Sequence, residues 1–185
     1  ILYLNNLQNE ELRNLSYPLL IKEEHSCSAF GVHKLNSYDE MINLLKTDKV
    51  SSMNDRVICQ ELLNIRRDLR VIIVGEKIVL HYWRINLADE WKPTSTGHGS
   101  EVDFVTFPEQ WKGWIIDTFK RLDMKTGAFD IAWQHDDLDT EPYILEVSPF
   151  YQPNPKPYKN MVINYGDWKK TVSLKNSYQL GFVDI

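Results

Sequence analysis

Cysteine is scarce in this chain: its 185 residues include only two, Cys27 and Cys59. Their separation is not that of a metal-ligand pair, and a secreted disulfide scaffold would carry many more. We therefore expect the protein to work in a reducing compartment, the cytoplasm, and not as a disulfide-stabilised secreted domain.

The chain also lacks an excess of basic residues and any long apolar run. Its formal net charge is -5 and its pI is near 5.5, whereas surfaces that bind nucleic acids or anionic membranes concentrate Lys and Arg. No apolar segment approaches the roughly 20 residues that a membrane-spanning helix needs. These absences argue against a nucleic-acid partner and against a membrane partner.

What the sequence does contain is a high apolar content, 43% hydrophobic and 12% aromatic, which is enough to build a core in one domain or in two small lobes. Strand patterns are mixed with amphipathic helices, so we expect an α+β fold. A hairpin-plus-helix lobe is predicted over residues 1–62, and a larger antiparallel lobe over residues 63–185. The chain begins with Ile1, and we expect it to be a fragment of a longer protein.

β-rich runs predict strands over residues 18–22, 32–35, 57–62, 68–74, 77–85, 128–134 and 143–147. The two-residue segment Gly75-Glu76 between such runs predicts a tight hairpin. Ser37 followed by Glu40 forms a capping box, which predicts a helix that ends near residue 47. A second helix is predicted to begin after Pro108.

Asp130 and Glu146 can be placed by counting along the last predicted hairpin. If its turn is centred on Leu138, residue 130 lies directly opposite residue 146 and both side chains share a face. Opposed β-carbons are about 5 Å apart, and two unit charges at about 4 Å repel by roughly 4 kcal/mol at an effective dielectric of 20. A divalent cation with oxygen ligands, such as magnesium, would neutralise them. A register shifted by one residue would leave two unrelated surface acids.

Lys22 closes an apolar strand just before a tip of small residues that includes Ser26, Ser28 and Gly31. A lysine at that place can attract a phosphate, while backbone N–H groups of the tip cover the phosphate oxygens. A plain turn is the alternative.

Asp68 and Arg70 fall on one strand face, because they are two residues apart. With the turn at Gly75-Glu76, Arg70 is predicted to lie opposite His81. Arg84 then has the other parity unless a bulge intervenes. Each arginine taken alone is also typical of a surface ion pair.

Several segments occur in an order that resembles the ATP-grasp superfamily. They cover roughly residues 17 to 150 and read PLLIKEEHSCSAFGVHKL, VICQELLNIRRDLRVIIVGEKIV, the R-x-N of Arg84 and Asn86, FDIAW and YILEVSP. The resemblance is to the branch with glutathione synthetases, ribosomal-protein glutamate ligases and D-alanine:D-alanine ligase. It implies a lid lobe and a larger lobe that hold ATP between antiparallel sheets, with a further domain upstream of this sequence.

Carried over residue by residue, the resemblance implies nucleotide contacts in the first lobe. Lys22 matches the lysine that binds phosphate at the end of a lid strand. The loop that closes on the phosphates is matched by Ser26, Ser28 and Gly31. The inter-lobe hinge that holds the adenine is matched by Gln60, Glu61, Leu62 and Leu63.

In the larger lobe the resemblance implies the residues of the chemistry. Asp68 resembles the acidic residue that reaches the ribose. Arg70 and Arg84 resemble the basic residues near the γ-phosphate and the acceptor. Asp130 and Glu146 match the two magnesium carboxylates.

Ser148 departs from the family pattern, which usually has Asn two residues after the glutamate. Its hydroxyl can ligate magnesium or hold a bound water. A further phosphate-binding lysine, which the family carries upstream, is also not visible in this sequence.

The implied activity is that of an ATP- and Mg²⁺-dependent ligase, with Mn²⁺ as a workable substitute for the metal. It would activate a small-molecule or peptide carboxylate as an acyl phosphate for attack by an amine or similar nucleophile. A homodimer is compatible with the sequence. Two alternatives stay open at this point: a kinase that phosphorylates an alcohol on the same fold, and a non-catalytic nucleotide-binding protein.

Overall fold

The computed structural model describes residues 2–3, 9–23, 29–46, 56–149 and 151. It divides the chain into two compact units, residues 1–63 and 64–185. Both units combine antiparallel sheets with helices, so the predicted α+β class is confirmed. In the described ranges, no helix has both the length and the apolar character that crossing a membrane requires.

The first unit is built on an antiparallel sheet whose described strands run in the order β1, β4, β2, β3. These strands are β1 (Leu2–Tyr3), β2 (Leu19–Glu23), β3 (Val32–Leu35) and β4 (Arg56–Glu61). The described residues of this unit also form two helices, α1 (Asn9–Arg13) and α2 (Tyr38–Leu45). Its core consists of Leu12, Leu19, Ile21, Leu35, Met41 and Val57. Because α1 supplies Leu12 and α2 supplies Met41, both helices contribute to this core.

The predicted capping box at the start of α2 is confirmed, with one difference. Ser37 Oγ accepts a hydrogen bond from the backbone N–H of Glu40 at 3.3 Å. The Glu40 carboxylate accepts in return from the backbone N–H of Asn36, at 2.7 Å, where a standard box uses the capping residue itself. The two bonds fix where α2 begins.

The second unit contains an antiparallel sheet in the order β7, β6, β5, β8, β9. Its strands are β5 (Arg67–Val74), β6 (Lys77–Ile85), β7 (Glu101–Asp103), β8 (Thr126–Ala132) and β9 (Tyr143–Ser148). Helix α3 (Lys112–Lys120) follows Pro108 and a short 3-10 turn, Glu109–Trp111. The hairpin around Gly75-Glu76 is confirmed, whereas β7 was not predicted.

One face of this sheet packs on helix α3. Its fully buried residues alternate along the strands and meet two residues of the helix; they are Leu69, Val71, Ile73, Trp83, Phe129, Ile131, Trp133, Ile115 and Phe119. The ring centroids of Phe119 and Phe129 are 5.4 Å apart. Full burial of a large apolar side chain stabilises by about 1.5–3 kcal/mol, so this face, which we call the helix face, holds the unit together.

A bulge between β5 and β6 corrects one prediction. Ile72 pairs with Leu80 but Ile73 pairs with Ile78, so the pairing shifts by one residue. Arg70 therefore lies opposite Tyr82 and not opposite His81 as predicted. The same shift places Arg84 opposite Asp68, because one inserted residue reverses the parity of everything beyond it.

The acidic turn after β8 clamps the start of β5. The Asp136 carboxylate accepts hydrogen bonds from the backbone N–H of Arg66 at 3.0 Å and of Arg67 at 3.3 Å. His135 and Asp136 both have positive φ, 60° and 55°, a conformation that is uncommon outside glycine. Asp136 therefore has a structural role at the start of β5.

Candidate functional site

The second face of the five-stranded sheet, opposite the helix face, carries the charged residues. Along one row, Tyr82 of β6 lies opposite Arg70 of β5, Arg70 opposite Asp130 of β8, and Asp130 opposite Glu146 of β9. The adjoining row pairs Asp68 with Arg84. The predicted register of Asp130 against Glu146 is confirmed. We call this surface the charged face.

Two arginines and two aspartates form one buried network on the charged face. Arg70 Nη1 lies 3.1 Å from Asp130 Oδ2, and Arg84 Nη2 lies 2.9 Å from the same oxygen. Arg84 Nε donates to Asp68 Oδ1 at 2.9 Å, and its Nη2 donates to Asp68 Oδ2. The exposed fraction is 15% for the Arg70 side chain, 12% for Arg84, 7% for Asp130 and 2% for Asp68. A bulge thus brings together two arginines that sequence reasoning could not place on one face.

Burial and charge compete in this network. Burial lowers the pKa of Arg84, but the carboxylates of Asp68 and Asp130 outweigh burial and hold that pKa well above its usual value. Burial raises the pKa of Asp68, and the Arg84 guanidinium and the Thr94 side chain oppose that shift. Burial also raises the pKa of the Tyr82 hydroxyl, to about 12. Two guanidinium groups balance two carboxylates, so the buried network is neutral as a whole.

Glu146 and Ser148 lie at the rim of the charged face, on edge strand β9. Glu146 is exposed, and Ser148 is buried. Ser148 Oγ donates a hydrogen bond to Glu146 Oε1 at 2.5 Å. The hydroxyl therefore orients the carboxylate of Glu146.

The pair Asp130 and Glu146 fits a divalent cation by the chemistry of its oxygens. Asp130 Oδ1 is buried and has no hydrogen-bond partner among the residues that the structure describes, although a buried carboxylate oxygen is normally satisfied. Among the described residues, no group of three or more His, Cys, Asp or Glu side chains could enclose a metal. Two carboxylates with one uncommitted buried oxygen suit magnesium, which takes its remaining ligands from phosphates and water.

The predicted nucleotide residues of the first unit lie on and beside its sheet. Lys22 of β2 is half-buried and pairs with Val32 and Ile58. Gly31 is buried, and its carbonyl accepts a hydrogen bond from the backbone N–H of Glu23 at 2.9 Å. Ser26 and Ser28 lie outside the described residues.

The predicted hinge residues lie at the end of the first unit. Gln60 and Glu61 are the last residues of β4, where they pair with Leu20 and Leu19 of β2. The half-buried residues Leu62 and Leu63 follow the strand. The division between the two units falls directly after them, between residues 63 and 64.

Two residues near these sites were missed by sequence reasoning. Thr94 hydrogen-bonds to Asp68 from the loop between β6 and β7, and the Pro and Gly content of that loop is the only sequence signal there. Lys34 pairs with Leu20 while Lys22 pairs with Val32, so strand alternation places both lysines on one face. That parity was the signal that could have identified Lys34.

Comparison with solved structures identifies the fold. D-alanine--D-alanine ligase from Bacillus anthracis, in complex with ATP, matches 80% of this chain and 45% of its own, with a TM-score of 0.55 and 17% sequence identity. A second structure of that enzyme matches 78% of this chain and 47% of its own, with a TM-score of 0.56 and 17% identity. This chain has the ATP-grasp fold.

The chain spans about half the length of the ligase that it matches, 45% and 47% in the two structures. A structure of the ATP-grasp ligase PsnB with a minimal precursor matches 83% of this chain and 42% of its own, with a TM-score of 0.47 and 14% identity. No protein-family model and no curated protein sequence matches the chain. At these identities the comparison establishes the ATP-grasp fold, and the function has to be argued from the site.

Proposed function

We propose that this chain is the catalytic part of an ATP- and Mg²⁺-dependent ligase that activates a carboxylate as an acyl phosphate. The observation that carries the proposal is the charged face, where Arg70 and Arg84 meet Asp130, and Glu146 lies opposite Asp130 across the strand pair. Its place on an ATP-grasp fold, which solved ligases share, supports the assignment.

Asp130 and Glu146 are the residues that would hold Mg²⁺, with Ser148 orienting Glu146 through its hydroxyl. When bound, the metal would neutralise phosphate charge. Arg70 uses one of its five N–H donors in a hydrogen bond to Asp130, and its Nε is buried without a partner among the described residues. Its remaining donors can stabilise the charge that develops on the transferred phosphoryl group.

The nucleotide is assigned to residues of both predicted lobes, the lid lobe over residues 1–62 and the larger lobe over residues 63–185. Lys22 would attract the phosphates. The closing loop would contain Ser26, Ser28 and Gly31. The adenine would be held by Gln60, Glu61, Leu62 and Leu63, and the ribose was expected at Asp68.

The proposed reaction has two steps. A substrate carboxylate oxygen forms a bond to the γ-phosphorus while the bond from that phosphorus to the bridging oxygen of ADP breaks. An amine nitrogen then attacks the acyl carbon, phosphate leaves, and the nitrogen loses its proton. Positioning and electrostatic stabilisation account for most of such catalysis, which is what a preformed set of paired arginines and carboxylates supplies.

The test is a screen of full-length protein for ADP release with carboxylates and amines, repeated with hydroxylamine in place of the amine. The proposal expects carboxylate-stimulated ADP release and a hydroxamate, because hydroxylamine intercepts an acyl phosphate. ADP release with a phosphorylated alcohol and no hydroxamate would favour the kinase. Nucleotide binding without ADP release under any condition would favour a non-catalytic protein.

A further inference from the structure

The two arginines of the charged face are engaged to different extents. Arg84 directs two hydrogen bonds at Asp68, from Nε and Nη2, and its Nη2 also forms an ion pair with Asp130 at 2.9 Å. Arg70 directs one, from Nη1 to Asp130. Each guanidinium has five N–H donors, and Arg84 commits more of them to carboxylates than Arg70 does.

Asp68 anchors Arg84. Its residue is 1% exposed, both of its carboxylate oxygens accept from Arg84, and the Thr94 side chain hydrogen-bonds to it as well. A carboxylate that is enclosed in this way is not accessible to a ribose hydroxyl. The contact with both carboxylate oxygens also fixes the plane of the guanidinium.

Arg84 and Arg70 together occupy one oxygen of Asp130. Arg84 Nη2 lies 2.9 Å from Oδ2 as an ion pair, and Arg70 Nη1 donates to Oδ2 at 3.1 Å. Among the described residues, Oδ1 is buried without a hydrogen-bond partner. A carboxylate held at one oxygen cannot rotate to present the other one elsewhere. The orientation of Oδ1 therefore depends on an arginine that Asp68 itself holds in place.

We infer that Asp68 and Arg84 are positioning residues that hold Asp130 with Oδ1 free for a divalent cation, while Arg70 is the arginine that contacts the nucleotide phosphates. This inference rests on the proposed function, and it reassigns two residues: Asp68 from the ribose and Arg84 from the phosphates. Partners that orient a metal ligand typically change metal affinity by 10–100-fold when they are replaced.

The experiment measures the affinity of full-length protein for the non-hydrolysable ATP analogue AMP-PNP by calorimetry, once with EDTA and once with Mn²⁺. We call the dissociation constant in EDTA divided by the dissociation constant in Mn²⁺ the gain from metal. For Arg84→Lys, which keeps the charge but loses the planar fork, we expect that gain to fall at least tenfold while binding in EDTA stays near wild type. For Arg70→Lys we expect weaker binding in EDTA as well.

Asp68→Asn should reproduce the effect of Arg84→Lys. The double variant Asp68→Asn/Arg84→Lys should lose no more of the gain from metal than either single variant, because both changes break the same support. The matched control is Arg66→Lys, since Arg66 forms an exposed ion pair with Asp89 at 3.8 Å; its gain from metal should equal that of the wild type. If a single variant does not fold, Asp68→Asn/Arg84→Gln removes both charges of the pair together and keeps the measurement possible.

The outcomes separate this inference from the proposed function. Wild-type protein that gains nothing from Mn²⁺ contradicts the metal site, and with it both proposals. If the wild type gains affinity from Mn²⁺, and Arg84→Lys and Asp68→Asn/Arg84→Lys gain as much, only the positioning role is contradicted. Weaker binding of Arg84→Lys in EDTA, with its gain from metal intact, would show that Arg84 contacts the phosphates directly.

Discussion

The helix face and the charged face of the five-stranded sheet are built by the same strands, yet only one of them carries a network of charged side chains. The helix face is apolar, fully buried and packed on α3, whereas the charged face carries Arg70, Arg84, Asp68, Asp130 and Glu146. Because side chains alternate along a strand, residues adjacent in sequence have unrelated tasks. Phe129 and Ile131 lie in the core, and Asp130 between them lies in the candidate site. Stability and chemistry should therefore respond to different substitutions.

The largest loss of stability should come from the helix face. Phe129→Ala removes a ring that is completely buried against Phe119, and such changes typically lower the free energy of unfolding by about 3–5 kcal/mol. Chemical denaturation would measure it. Tyr143→Ala is the control: Tyr143 is 52% exposed on the edge strand, and we expect a change within about 1 kcal/mol. Equal losses for the two variants would contradict the comparison.

A smaller loss should follow Gly127→Ala on the same face. A β-carbon there would lie 2.7 Å from Met124 Cε and 3.1 Å from Phe119 Cε2. The methionine end can move, but the buried Phe119 ring can do so only by repacking, and overpacking costs about 1–3 kcal/mol. Gly113→Ala, where a β-carbon meets nothing within 4 Å, is the control and should not lower the unfolding free energy. An unchanged stability of Gly127→Ala would show that α3 packs less tightly than we describe.

A change at the rim of the charged face should affect binding more than stability. Ser148→Ala removes the hydrogen bond to Glu146, and a bond of this kind contributes about 0.5–1.5 kcal/mol. We expect the dependence of nucleotide binding on Mg²⁺ to shift to severalfold higher metal concentration. Ser148→Asn keeps a donor and adds an oxygen, so it should leave that dependence unchanged or tighten it. A large loss for Ser148→Asn would mean that the serine has a role that asparagine cannot supply.

The smallest effect should appear in the pH dependence of stability. Burial lowers the pKa of His81 below its ordinary value of 6.5, and Asp103 and Glu109 oppose that shift only in part. With a depressed folded-state pKa, the contribution of His81 to stability is present above pH 6.5 and is lost as the pH falls through the folded value. The melting temperature of His81→Leu should therefore fall less steeply than that of the wild type as the pH is lowered below 6.5. An unchanged slope would place the titration elsewhere.

Two bulges explain why one strand register was predictable and another was not. For Asp130 and Glu146 we assumed a regular hairpin, and the true one is irregular. Ala132 pairs with Tyr143, and the register shifts by one residue between Ile131 and Asp130. The off-centre turn and the shift cancel, so the count gives the right pair. For β5 and β6 nothing cancels the bulge, so the count places His81 opposite Arg70 where Tyr82 lies.

The contacts between side chains in the candidate site could not be predicted from the sequence. The strand patterns indicated the α+β class, and the order of motifs indicated the ATP-grasp fold. That Arg84 binds both Asp68 and Asp130 depends on parity after a bulge. The contact of Thr94 with Asp68 depends on the path of a loop that has no period. The strand β7, Glu101–Asp103, is too short to show a pattern of its own.

The most direct test of the account compares Glu146→Gln with the wild type in ADP release and in melting temperature. Glu146 is exposed and opposite Asp130, so the change removes one charge with little effect on packing. We expect ADP release to fall by about a hundredfold or more, since each 1.36 kcal/mol of lost transition-state stabilisation is about tenfold in rate, with a melting temperature close to wild type. Glu141 is an exposed residue whose carboxylate accepts a hydrogen bond from Trp114 Nε1 at 3.2 Å. As the control, Glu141→Gln should release ADP normally. Normal turnover by Glu146→Gln would contradict the assignment of the charged face as the site of the chemistry.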